Sequence, residues 1–230
     1  MKIRIEKVIS QFLDVSRNDC KKILKDGRVF LNDKVILKPV VIDLKKDKLK
    51  IDGEKIIYKD KQYFIFNKPS GYVVANYDSK SETIFDIINL DPKRFFAYGR
   101  LDKDTEGLLI ISNDGKIGHQ IMNSKFEIPK KYYFEVDKKF DIKIKSHYPK
   151  PITISNNYVV KKYNFEFLNK NCGLITIYEG KFHQVKEMLE FFGYKIIYLK
   201  RISIGNLKLD ENLELGQLRE IDFNEINKIF

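Results

Sequence analysis

The sequence predicts an α+β protein in two parts, a small mixed domain over residues 1–58 and a larger one over 59–230. The larger part is expected to be a mixed, mostly antiparallel sheet with helices packed on it. Three observations predict this. The first fifty residues carry a helix-turn-strand pattern of their own. A charged connection, "KKDKLKIDGEKIIYKDKQ", follows them. Beyond it, short strand-like runs alternate with helical runs, but not in a regular βαβα series.

In the first part, Ile5, Val8, Ile9 and Phe12 of "IRIEKVISQFL" stand at helical spacing. A second helix is predicted after Ser16, an N-cap residue with Asp19 three positions on, as a capping box requires. Gly27 stands where the chain would leave that helix. Cys20, Ile23 and Leu24 form its apolar stripe, while Arg17, Lys21, Lys22, Lys25 and Arg28 give a basic face. "RVFLNDKVIL" then reads as strand, turn and strand about Asn32–Lys34, and "KLKID" as a further short strand. Such a basic face suits RNA phosphates, which contribute affinity and register rather than sequence choice; a merely solvated face reads the same. The stretch "RIEKVIS…SRNDCKKILKDGRVFLNDKVI" resembles an S4 RNA-binding domain over about residues 2–48. That resemblance favours RNA.

In the second part, "YFIFN" and "YVVAN" read as strands flanking a "KPSG" turn. "SETIFDIINL" reads as a helix, "LLIIS" as a buried strand and "GKIGHQIMN" as a short helix. "KYYFEVD", "NYVVKKYNFEFL" and "GLITIYEG" read as strands. "HQVKEMLEFFG" is a helix closed by Gly193, and "YKIIYLKRISIG" returns to strand.

Charge narrows the partner. With 43 Lys and Arg against 32 Asp and Glu, the formal net charge is +11, spread along the chain rather than gathered in a tail. A folded basic protein of this kind is expected to meet an acidic partner. Abundant Lys, Ile and Asn with no Trp would also follow from AT-rich codons, so charge alone leaves both readings open. Cys20 and Cys172 have no CxxC spacing and are expected as free thiols. Three histidines and two cysteines without ligand spacing argue against a structural zinc site. No apolar run suits a transmembrane helix or a signal peptide, and the cytoplasm is the expected compartment.

The chemistry centres on "GRLDKDTEGLLIISNDG", residues 99–115, where Asp102, Asp104 and Glu106 gather before an apolar strand. One reading is a polar turn and nothing more. A second is the Asp-x-Asp-x-Thr nucleophile of haloacid-dehalogenase-like phosphotransferases, but there the apolar strand precedes the motif and here it follows. The third is a single catalytic carboxylate. The stretch resembles the central motif of the pseudouridine synthases, in the branch that also carries an S4 domain. "FNKPSGYV", "PKKYYFEVD" and "EGKFHQVKEMLEFFGYKIIYLKRISIGNLKL" resemble three further motifs of that family, in order, so the resemblance spans nearly the whole chain.

The resemblance implies an isomerase that detaches uracil from its ribose and rejoins it through carbon, with no cofactor and no metal. It assigns the catalytic aspartate to Asp102, a cation beside it to Lys186, and the active-site tyrosine to Tyr132. An opposite charge beside a carboxylate favours its ionised form. Lysine at position 186 departs from the arginine usual in the wider superfamily, and makes a point contact rather than a two-pronged one. Alternation along the strand points Tyr133 away from Tyr132, and a register error of one would exchange them. The target base must leave its stack. Arg100 is expected to contact the flipped strand, Lys68 to face RNA phosphate or the loop itself, and His183 to join the RNA contacts. Asp104, Thr105 and Glu106 are expected to shape the loop through turn and capping bonds.

Phe182-His183 resembles the members acting on small-subunit rRNA, where large-subunit members more often have Asn-Arg. The implied partner is 16S rRNA, with uridine 516 as target, met either naked or in a partly assembled small subunit, by a monomer that touches no membrane. A large-subunit target, or an rRNA-binding assembly factor without catalysis, are the competing readings. Residues 138–165 are shorter than the helical segment usual in the family.

Overall fold

The structure is a computed structural model that describes residues 2–13, 15–44, 46–56 and 58–230, apart from the side chain of Arg17. The chain divides into two compact units, residues 1–60 and 61–230.

In the first unit, helices over Ile5–Leu13 and Arg17–Lys25 pack on a four-stranded antiparallel sheet and a two-stranded one. The capping box forms: the Ser16 hydroxyl accepts from the Asp19 N–H, and the Asp19 carboxylate accepts from the Ser16 N–H. The helix begins at Ile5, and residues 2–4 ahead of it pair with Val41–Asp43 as a strand. Val29–Leu31 and Lys34–Val35 form the hairpin, turning through Asn32 and Asp33, both at positive φ. The apolar stripe of the second helix, Cys20, Ile23 and Leu24, is buried against Ile5, Val8 and Ile9. Burying that stripe directs Lys21, Lys22 and Lys25 to solvent.

The second unit is built on strands β1 (Tyr63–Lys68), β2 (Glu106–Ser112), β3 (Lys130–Val136), β4 (Tyr163–Phe167), β5 (Cys172–Ile177), β6 (Ile196–Ile204) and β7 (Leu218–Ile221). They lie in the order β4-β5-β3-β6-β2-β1-β7. Only the β6–β2 pair is parallel among these neighbours. Helices α1 (Gly115–Met122) and α2 (Gln184–Glu190) follow β2 and precede β6. Strand β2 is apolar on both faces, with Leu108, Leu109, Ile110 and Ile111 wholly buried, as befits a central strand. Among the described residues no helix is long and apolar enough to cross a membrane. Both cysteines are free.

Two elements differ from expectation for one shared reason. "YVVAN" forms no strand, and "SETIFDIINL" yields only a single 3-10 turn, Ile84–Asp86. The Val73 N–H donates to Glu82 O, and the Ile84 N–H donates to Val73 O. The two segments spend their backbone groups on each other, so neither extends. "NYVVKKYNFEFL" divides into two strands: Tyr158–Val160 closes a hairpin with Ile152–Ile154, and β4 joins the main sheet. Within 138–165 a short helix, Ile142–His147, precedes that hairpin.

Gly107 fixes how β2 meets β6. Its φ is +99°, and a Cβ there would lie 2.3 Å from the Arg201 carbonyl oxygen. Gly107→Ala is expected to destabilise the protein by at least about 2 kcal/mol, since neither the backbone angle nor the neighbouring main chain can yield cheaply. Urea unfolding checks this; a loss below a few tenths would contradict it.

Candidate active site

The site begins with Lys68, the last residue of β1. Its side chain has no exposed surface. Its Nζ donates to the carbonyls of Pro69, Asp102, Lys103 and Thr105, at 3.0, 3.2, 3.1 and 2.9 Å. The loop after Leu101 is therefore wrapped around a buried ammonium. Burial pulls that ammonium down to about 8, against Asp104, Glu106 and Asp102, which hold it up. A group with no exposed surface cannot reach an RNA phosphate, so of the two roles expected for Lys68 the RNA contact is corrected and the loop contact is the one made.

The loop presents Asp102 to the first turn of α2. Lys186 Nζ lies 3.2 Å from Asp102 Oδ2 and 2.6 Å from Asp104 Oδ1. Burial opposes the Lys186 charge, but the hydrogen bond it donates to Asp104 and the charge of Asp102 raise its pKa overall. Asp104 is likewise held below the usual carboxylate range, burial being outweighed by Lys186. The neighbours of Asp102 do not make the expected turn bonds with their side chains. Asp104 pairs with Lys186, Glu106 accepts from the Tyr198 hydroxyl at 2.8 Å, and Thr105 Oγ1 is buried without a partner. Lys68 and the Thr105 N–H, which donates to Asp102 O, hold the turn instead.

Ahead of α2, the Gln184 side chain is buried, accepting from the Lys181 N–H and donating to Glu179. This pins residues 179–184. His183 follows at φ +50°, a left-handed conformation, and its ring stacks on Phe182 at 3.7 Å. His183 Nε2 lies 3.6 Å from Asp102 Oδ1. Phe182 is 69% exposed, so the stacked pair stands at the rim of the site.

Strand alternation decides between the tyrosines. Tyr132 is buried and borders the same cavity as Asp102 and Lys186, a space of about 90 Å³. Tyr133 points to the opposite face, where it packs edge-on against Tyr198 in a wider cleft. Arg100 is exposed and borders the Asp102 cavity. Asp102, Tyr132, Lys186, Arg100 and His183 thus surround one space, though they come from three separate stretches of chain. In the first unit, Lys21, Lys22 and Lys25 are exposed, while Arg28 is held two-pronged by Asp52 at 2.7 and 2.6 Å. The side chain of Arg17 lies outside the described residues.

Two basic groups escaped the sequence reading. Lys130 and Arg201 are buried at 9% and 2% exposure, and both border the cavity. Alternation along β3 places Lys130 on the face of Tyr132, a signal available in "PKKYY". Arg201 carried no such signal, because its facing depends on the β3–β6 register, in which it lies opposite Tyr132.

Comparison with known proteins accords with this geometry. The model of the RNA pseudouridylate synthase family matches residues 62–191. An uncharacterized RNA pseudouridine synthase of Bacillus subtilis is 33% identical over 233 residues, covering 98% of this chain and 97% of the relative. The ribosomal large subunit pseudouridine synthase B of Bacillus subtilis is 30% identical, covering 98% and 95% of the two chains. The ribosomal small subunit pseudouridine synthase A of Vibrio vulnificus is also 30% identical, covering 99% and 100%. A crystal structure of a pseudouridylate synthase superposes with a TM-score of 0.70 at 28% identity, over 99% of this chain and 100% of the other.

Proposed function

This chain belongs to the RNA pseudouridylate synthase family, and from that premise we propose that it isomerises a uridine of 16S rRNA, with Asp102 as nucleophile. The observation that carries the reading is the meeting of Asp102, Lys186 and Tyr132 around one cavity, with Lys186 Nζ 3.2 Å from the Asp102 carboxylate. An ammonium at that distance orients the carboxylate that would act as nucleophile. Tyr132 offers its ring face to the uracil and its hydroxyl to the proton released when the new carbon–carbon bond forms. Arg100 and His183, at the mouth, contact the strand from which the base is flipped.

The first unit acts as an S4-type RNA grip. Lys21, Lys22 and Lys25, on one helix face, meet phosphates and add affinity without choosing sequence. The ribosomal relatives support rRNA as substrate, and so the cytoplasm as the place of action. Phe182-His183 and the small-subunit relative favour 16S rRNA and position 516. A relative of equal identity acts on the large subunit, which makes 23S rRNA the second reading.

The test incubates unmodified 16S and 23S rRNA, naked and as partial ribonucleoproteins, with wild-type protein and with Asp102→Asn. Pseudouridine is mapped by carbodiimide-blocked primer extension. One new stop in 16S rRNA, absent with the variant, is expected. A stop in 23S rRNA alone keeps the chemistry and moves the target. Tight binding without any stop would leave an rRNA-binding assembly factor.

A further inference from the structure

The cavity beside Asp102 contains more positive charge than Lys186 needs for its two carboxylates. Arg201 is 2% exposed, and its Nε donates to Leu108 O at 2.7 Å. Its Nη1 reaches the Tyr132 hydroxyl at 3.5 Å, and its Nη2 has no partner. Lys130, 9% exposed, donates to Ile128 O at 3.1 Å. Among the described residues neither cation forms an ion pair. Burial, then Arg201, pulls the Lys130 ammonium down to about 8, against the charge of Glu179. Two buried cations that oppose each other without an ion-pair partner are costly to a fold. A counter-charge that arrives with the reacting molecule would offset that cost.

We propose that Lys130 and Arg201 form the anion site of this cavity, receiving the negative charge of the detached uracil ring. The proposal rests on the reading that the cavity receives uridine. When the C1′–N1 bond breaks heterolytically, its electron pair stays on the ring, shared among N1, O2 and O4. The anion rejoins C1′ through C5, and the C5 proton then moves to N1, so the product is an isomer of the substrate. The unpaired Nη2 of Arg201 and the Lys130 ammonium are donors for that ring charge, and they need no reorganisation when it appears. An RNA phosphate suits the place less well. Ile177, Leu199, Ile204 and the Tyr132 ring give the cavity an apolar stretch of wall, which matches a flat base better than a hydrated oxyanion.

Two arms test this. In the first, single-turnover base detachment is measured on RNA carrying uridine or 5-fluorouridine at the target. Fluorine stabilises the departing anion, so a site that has lost its cations should discriminate more between the two. Arg201→Gln and Lys130→Met are expected to slow uridine on the order of 10²-fold and 5-fluorouridine distinctly less, with Arg201→Lys intermediate. Lys130→Met leaves the Leu108 contact of Arg201 intact, so the test stands if Arg201→Gln fails to fold. Equal slowing of both substrates, the mark of a merely structural role, would overturn the proposal. In the second arm, 5-nitrouracil, an anion at neutral pH, is titrated against the protein by absorbance. It is expected to bind wild type more tightly than uracil does, and to lose at least tenfold in Lys130→Met. Unchanged binding in that variant, or equal displacement by inorganic phosphate, would overturn the site. A wild type that forms no pseudouridine but binds 5-nitrouracil through Lys130 would sink the isomerase reading and keep the anion site.

Discussion

Asp102→Asn is expected to lower turnover by at least about four orders of magnitude while leaving the fold intact. The amide keeps the shape of the carboxylate but has no nucleophilic charge. Removing a carboxylate from a partly buried cation is ordinarily destabilising. Here Lys186 keeps a second partner, Asp104, at 2.6 Å, so its charge is not orphaned. The melting temperature should therefore shift by only a few degrees, and RNA affinity should stay within about threefold, since phosphate contacts set most of it. Asp104→Asn is the matched control: Lys186 retains Asp102 at 3.2 Å, and turnover should survive. If Asp104→Asn were the dead variant and Asp102→Asn the active one, the two carboxylates would have to exchange roles.

Lys68→Met is the second large effect. It removes the donor that four loop carbonyls share, three of them 34 to 37 residues away in sequence. Each buried carbonyl left without a donor costs about 1–3 kcal/mol unless water reaches it. The loop is expected to loosen to admit water, which limits the loss of stability to about 3 kcal/mol. Turnover should fall much further, on the order of 10²-fold or more, because a displacement of about 1 Å at Asp102 is enough for that. The pH dependence separates this from a generic destabilisation. The folded Lys68 value of about 8 lies below its unfolded 10.5. Between those values the unfolded chain holds more protons, so this group makes wild-type stability rise with pH through that window. Lys68→Met should lose that share of the slope, while Lys130, shifted in the same direction, keeps its own. Urea unfolding between pH 7.5 and 10 measures both, and an identical slope in the two proteins would contradict the buried ammonium.

Much of this site was legible in the chain because it depends on local order. The resemblance of the Gly-Arg-Leu-Asp run, ahead of an apolar strand, to the family's central motif pointed to Asp102. Period-two alternation separated Tyr132 from Tyr133, and Ser16 with Asp19 announced the helix they cap. Other features follow from contacts across long separations, which no local period encodes. A lysine with no exposed surface and a solvated lysine are the same letter, so the choice for Lys68 between RNA phosphate and the loop stayed open until β1 and the Asp102 loop were brought together. "YVVAN" and "SETIFDIINL" satisfied strand and helix patterns separately, yet their backbone groups were taken by one another. The sharing of Lys186 between Asp102 and Asp104 depends on how α2 meets a loop 82 residues earlier. Arg201 enters the cavity because β6 runs between β3 and β2, where Gly107 lets the two main chains close. Sequence by itself singled out Asp102, Tyr132 and Lys186 as candidates, because motif resemblance rests on residue type and short-range order. Tertiary structure alone decided which cations are buried, and which carboxylate each one faces, because burial and pairing belong to the packed sheet.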